Sequence, residues 1–151
     1  MIEGIRNFFT QMIEPGAREP AASQHALHLA TAALLLEMMR MDSAVTAAET
    51  AAVTQVLQSR FGLGADEVET LMVLAADEAR QATDYFQFTS LINRSFSAEQ
   101  KIQVVEYLWQ VAYADGHLDA HEQHFMRKIA DLLYVSHADY VAAKQRAREK
   151  D

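Results

Sequence analysis

Apolar residues recur every three or four positions along almost the whole chain, the spacing that places them on one face of an α-helix. No segment alternates apolar and polar residues between turn residues in the manner of a β-strand. The pattern therefore predicts an all-α protein, a compact bundle of about seven helices. The main expected helices run over about 23–41, 46–61, 66–81, 97–114, 119–133 and 136–147, with a short aromatic helix after Asp84 and an N-terminal helix within 1–14.

Residues at the expected helix ends support these boundaries. Thr46 and Ser97 are followed three positions later by Glu49 and Gln100, the arrangement of a capping box. Gly62 follows the second helix, and glycine ends helices readily because it adopts the left-handed conformation without steric penalty.

The N-terminal segment is expected to stand apart from the rest. Residues 1–14 have the spacing of an amphipathic helix, and a linker with two prolines and a glycine separates them from a helical domain over 23–151. We expect this helix to dock on the domain, since its few charges do not form the basic face of a membrane-bound helix. The most apolar stretch, 27–39, is too short to span a bilayer, and no signal peptide is evident.

An internal repeat relates the two halves of the chain at an offset of 73 residues. Repeat one covers 23–82 and repeat two covers 96–147, each with three helices. Neither repeat can cover its own apolar faces, so we expect the two to pack around a pseudo-twofold axis. Four acids form two equivalent pairs in this register: Asp42 with Asp115, and Glu49 with Glu122.

The two pairs of acids differ in how well local structure explains them. Glu49 and Glu122 occupy the third position of their helices, where capping accounts for them completely. Asp42 and Asp115 lie near helix C-termini, where the helix dipole disfavours a carboxylate. Either turn formation or a compensating cation explains those two acids.

The segment 115–122 matches the second half of a calcium EF-hand loop, with glycine at the sharp turn and glutamate at the last position. The first two ligand positions of such a loop would be Val111 and Tyr113, which offer no carboxylate. One such half would hold calcium poorly, but two facing halves can pool their oxygens on one ion. The candidate ligands are Asp42, Glu49, Asp115 and Glu122, with Asp119 binding directly or through water. Oxygen ligands of this kind suit Ca²⁺, Mg²⁺ or Mn²⁺.

The Ala-Asp-Gly-His-Leu-Asp-Ala-His-Glu stretch at 114–122, its degenerate copy at 39–49 and the closing Arg-Lys-Ile-Ala-Asp-Leu-Leu at 127–133 resemble the TerB-like tellurite-resistance family over about 23–147. The resemblance implies an all-helical domain with two related halves and an acidic site between them, most often discussed for calcium. The resemblance also implies that the protein is encoded with stress-response genes and takes part in membrane-linked assemblies. Ser43 and Thr46 depart from the family's usual residues, which implies a weaker first half-site.

Composition narrows the classes of function. The chain of 151 residues has no cysteine and a formal net charge of −8, which excludes thiolate metal sites and disfavours nucleic acid as a partner. A cytoplasmic location fits the absence of cysteine. Other clusters read as surface features: His117, His121 and His124; His25 with His28; and the acids Asp77, Glu78 and Asp84. We find no arrangement typical of an enzyme.

These observations predict a non-enzymatic module in which a divalent cation, calcium ahead of magnesium or manganese, links two loops and the fixed surface recruits a protein partner. The alternative is a helical adaptor that needs no metal, whose acids only cap helices. A metallohydrolase is a distant third hypothesis.

Overall fold

The computed structural model describes residues 20–41, 46–81, 87–115 and 120–150, together with the isolated positions 7 and 10. These ranges form seven α-helices, and the described residues contain no strand. The helices are α1 (Pro20–Met41), α2 (Ala47–Phe61), α3 (Ala65–Gln81), α4 (Gln87–Ser95), α5 (Ala98–Asp115), α6 (Ala120–Leu132) and α7 (His137–Lys150). The all-α prediction is confirmed, whereas the N-terminal helix predicted within 1–14 lies essentially outside the described residues.

Helix α1 begins three residues earlier than its predicted cap, Ser23, because Pro20 can occupy the first turn of a helix without losing a hydrogen bond. Helix α7 continues past the predicted end at Ala147 to Lys150. Each of the other predicted main helices agrees with an observed helix to within about two residues at its ends.

Two helices, α1 and α5, form the interior of the bundle. Five apolar residues of α1 are completely buried, and so is Thr31: the apolar five are Leu29, Ala30, Ala32, Leu34 and Leu36. Helix α5 contributes Trp109, the largest fully buried side chain. Helix α1 packs most extensively on α3, α5 packs most extensively on α7, and α1 and α5 also pack on each other. Burial on several sides explains why α1 is apolar around most of its circumference.

The predicted capping boxes are present. The Glu49 N–H donates to Thr46 Oγ1 at 3.1 Å, and the Thr46 N–H donates to Glu49 Oε1 at 3.1 Å. Ser97 and Gln100 make the same reciprocal pair at the start of α5. These bonds satisfy backbone donors that a helix start leaves without partners, which explains why α2 and α5 begin at these residues.

Shifted by the 73-residue offset, the starts of α2 and α3 fall at 120 and 138, beside the starts of α6 and α7, whereas the start of α1 falls at 93, within α4. Leu35 and Leu108, equivalent in that register, are both buried. The pseudo-twofold packing of the halves, and the repeat boundaries at 23–82 and 96–147, stay predictions. No helix in the described ranges has the length and apolarity needed to cross a membrane.

Two of the described helices are followed by a residue in the left-handed conformation, a glycine in one case and a tyrosine in the other. Gly62 follows α2 with φ of 66°, and nothing lies within 4 Å of where its Cβ would be. Tyr134 follows α6 with φ of 59° and is 82 % exposed. Beside it, the Val135 N–H donates to the Ala130 carbonyl and the Tyr134 N–H to the Asp131 carbonyl, the two bonds of a Schellman motif.

We expect opposite effects from exchanging residue type at these two positions. Gly62→Ala should lower the free energy of unfolding by about 1 kcal/mol, because a Cβ is strained at positive φ even with open space around it. Tyr134→Gly should raise the free energy of unfolding by about 0.5 kcal/mol. Glycine relieves the strain of the positive φ, and this gain exceeds the cost of the greater freedom that glycine gives the unfolded chain. Urea denaturation of both variants tests this, and a loss of stability in Tyr134→Gly would contradict it.

Candidate functional site

The predicted metal ligands lie largely beyond what the structure describes. Asp42 and Asp119 are outside the described residues altogether. Asp115 ends α5 and Glu122 is the third residue of α6, but neither side chain is described. The structure therefore neither brings these acids together nor separates them, and the predicted shared site stays a prediction.

Glu49 is the one predicted ligand whose side chain is described. It is exposed in the first turn of α2, and its Oε1 accepts hydrogen bonds from the Thr46 N–H at 3.1 Å and the Thr46 hydroxyl at 3.0 Å. No hydrogen bond to a described residue uses Oε2. One oxygen of this carboxylate thus caps the helix while the other is open to solvent or to a cation.

The described side chains alone do not assemble a metal centre. Among them, no three histidine or carboxylate groups lie close enough to hold one ion. His117 lies outside the described residues and the side chain of His121 is not described, whereas His124 is exposed on α6. The predicted acidic patch is incomplete in the same way, since Asp84 and the side chains of Asp77 and Glu78 are not described.

His25 and His28, which the sequence places among the surface features, have different surroundings. His25 Nε2 lies 2.9 Å from Glu67 Oε2, which joins the start of α1 to the start of α3. Glu67 Oε1 also accepts the Gly64 N–H at 2.9 Å. Burial alone would raise the pKa of Glu67, but the bonds from Gly64 and His25 outweigh it and lower that pKa below its ordinary value.

His28 belongs to a cluster of rings instead. Its imidazole stacks on the Phe61 ring with centroids 4.3 Å apart and lies edge-on to Tyr107 at 4.6 Å. Burial, with a smaller contribution from the charge of His25, lowers the pKa of His28 to about 4. The ring is therefore neutral at pH 7 and acts as an aromatic spacer between α1, α2 and α5.

A partly buried ion pair joins α5 to α7. Arg146 Nε lies 2.7 Å from Glu106 Oε1. Glu106 is buried, whereas the Arg146 side chain is 46 % exposed. The arginine thus reaches from the surface of α7 to neutralise a carboxylate within the bundle.

A groove of about 510 Å³ lies among the C-terminal part of α5, helix α6 and helix α7. We call it the α6–α7 groove. Three permanent cations line it, Arg127, Lys144 and Arg148. The other lining residues are Tyr113, Gln123, His124, His137, Tyr140, Val141 and Gln145. None of the described lining residues is an acid, although the chain as a whole is strongly acidic.

Tyr140 lines the α6–α7 groove, and the buried ring of Trp109 packs against Tyr140 and Lys144. Lys144 Nζ lies 4.7 Å from the centroid of the Trp109 ring, and Trp109 lies edge-on to Tyr140 at 5.9 Å. Burial raises the pKa of Tyr140; the nearby positive charge of Arg127 opposes that rise, and Asp131 and Tyr113 add to it. Arg127 is therefore close enough to the phenol to influence its ionisation.

This groove could not be predicted from the sequence because its residues come from three helices. The net charge of −8 averages over the chain, whereas residues 120–150 carry six lysines and arginines against four acids. The spacing of His137, Tyr140, Lys144 and Arg148, at three or four positions, was the available signal that these residues share one face of a helix.

The described part of the chain is thus an all-α domain. Helices α1 and α5 pack on each other, α3 packs on α1, and α7 packs on α5. Residues 28–145 match the family model for the tellurite resistance protein TerB, and the chain belongs to that family. Searches of curated proteins and of solved structures found no match. The predicted family is therefore confirmed, and it covers most of the chain.

Proposed function

We propose that the protein is a non-enzymatic TerB module in which a divalent cation links the α1–α2 loop to the α5–α6 loop. The ligands would be Asp42, Glu49, Asp115 and Glu122, with Asp119 binding directly or through water. Calcium suits this set of hard oxygen donors best, with magnesium and manganese as alternatives. Membership of the TerB family over 28–145, which contains all five residues, carries the proposal.

The described donor is compatible with such an ion. Glu49 is exposed and has one oxygen that bonds to no described residue, so it can bind a cation without losing the cap of α2. Asp115 is the last residue of α5 and Asp42 directly follows α1. Carboxylates at helix C-termini are disfavoured by the helix dipole, and a bound cation would remove that penalty.

A bound ion would fix the relative position of the two loops, and we propose that the surface so formed recruits a protein partner in a cytoplasmic stress-response assembly. The alternative is a metal-independent adaptor. One observation favours it: the bonds between Glu49 and Thr46 account for the carboxylate as a helix cap without any ion.

Thermal unfolding with and without metal separates the two proposals. At ten times the dissociation constant, calcium bound only to the folded state should add about 1.4 kcal/mol of stability. For a domain of this size that is a rise of about 3–6 °C in Tm. The double substitution Asp42→Asn with Asp115→Asn should abolish the rise while leaving the metal-free Tm unchanged or slightly higher, because it removes disfavoured charges.

The matched control is Glu69→Gln, which removes an exposed carboxylate of α3 and should keep the full response to calcium. Magnesium and manganese titrations identify the preferred ion. Identical unfolding curves in calcium and in chelator would reject the metal-linked module and support the adaptor.

A further inference from the structure

We propose that the α6–α7 groove binds a phosphorylated small molecule, with its phosphates on Arg127, Lys144 and Arg148. The three cations converge from two helices on one concave site of about 510 Å³. A site of that volume lies within the usual range for small-molecule ligands. The groove uses none of the proposed metal ligands, so the metal proposal can fail without affecting this one.

The charges of the groove are available to a ligand. No carboxylate of the described residues forms an ion pair with Arg127, Lys144 or Arg148. The nearby acid Asp131, one turn beyond Arg127 on α6, contributes to the raised pKa of Tyr140 but does not line the groove. Three neighbouring cations repel one another, and a bound anion would relieve that repulsion. Guanidinium groups bind phosphate oxygens through two parallel hydrogen bonds, so a phosphate is a suitable anion.

The shape and lining of the groove favour a small molecule with several phosphates. Lys144 and Arg148 are one turn apart on α7, about 6 Å along its axis, and Arg127 faces them from α6. Three cations arranged in this way can contact more than one phosphate group of the same ligand. The rings of Tyr113 and His137 beside the cations provide faces on which the organic part of a ligand can stack.

Calorimetric titration in EDTA tests binding without any contribution from metal, and ATP and tripolyphosphate serve as probes. We expect saturable binding of ATP that weakens several-fold as the salt concentration rises, because the contacts are ionic. Tripolyphosphate should bind if the phosphates alone suffice, and tighter binding of ATP would identify an organic phosphate as the ligand class. Trp109 is the single tryptophan of the chain, and its fluorescence should change on binding because Lys144 lies over its ring.

The triple variant Arg127→Gln, Lys144→Gln and Arg148→Gln should raise the Kd for ATP at least about tenfold. Its matched control removes three exposed cations outside the groove and should bind as the wild type does: R60Q/R94Q/K128Q. Both variants keep the same net charge, so a difference between them locates the site.

Two results would overturn the proposal. One is the absence of saturable binding of both phosphate probes at low salt; binding of an acidic peptide or of phosphatidylglycerol vesicles in that case would show that the groove serves another anionic partner. The other is equal affinity of the two triple variants when both show wild-type thermal unfolding. Single substitutions at Lys144 and Arg148 provide the same comparison if the triple variant does not fold.

Discussion

Replacing Arg146 with methionine is expected to lower the free energy of unfolding by about 3 kcal/mol at pH 7, because it leaves the Glu106 carboxylate buried without its arginine. The value lies at the low end for a broken buried ion pair, since the Arg146 side chain is half-exposed. Methionine keeps most of the apolar stem, so the loss of the charge dominates. Urea denaturation followed by circular dichroism measures the effect.

A second substitution separates charge from packing. Glu106→Gln in the Arg146→Met background should restore at least half of the lost stability, because a neutral amide needs no counter-charge inside the bundle. The control is Arg94→Gln. Arg94 is an exposed arginine of α4, and its loss should change the free energy of unfolding by less than about 0.5 kcal/mol. Equal stability of the single variant R146M and the wild type would show that the pair does not stabilise the fold.

Lowering the pH from 7 to 4.5 should destabilise the protein through His28 by about 2 kcal/mol. The folded-state pKa of His28 is about 4, below the ordinary value of 6.5. The unfolded chain therefore binds a proton in this window that the folded chain excludes, and stability is complete above pH 6.5 and is lost as the pH falls towards 4. The full shift would give a larger effect, but the half-buried ring keeps part of its hydration.

His28→Phe should remove this part of the pH dependence, because phenylalanine can stack on Phe61 and has no proton to gain. The control is His124→Gln, which changes an exposed histidine of α6 and should keep the wild-type pH profile. The contribution of Glu67, whose pKa is lowered, is lost below about pH 4.5 and is present in all three proteins. An unchanged slope between pH 7 and 4.5 in His28→Phe would show that another group causes the loss.

The helices could be predicted closely because their signals are local. Thr46 with Glu49 and Ser97 with Gln100 begin helices through bonds that span three residues, and Gly62 ends one through its own backbone. Tyr134 shows the limit of such rules. It adopts the left-handed conformation that glycine favours, because the backbone bonds of Val135 and Tyr134 to the end of α6 hold it there.

The sites could be predicted less completely. The acids at 42, 49, 115 and 122 were identified by their repeated spacing, yet of these only the side chain of Glu49 is described, and it caps α2. His25 and His28 were paired by spacing alone, but one contacts Glu67 and the other packs among rings. Neither contact partner is near in sequence, so spacing could not distinguish the two histidines.

The sequence by itself determined the helical class, most helix boundaries, the family and the positions of the candidate metal ligands, because periodicity, capping and motif spacing act within a few residues. Only the tertiary structure decided that Arg146 neutralises Glu106, that His28 is neutral among aromatic rings, and that an acidic chain has a basic groove between α6 and α7. These features depend on burial and on charges brought together from separate helices, and both arise only when the helices pack.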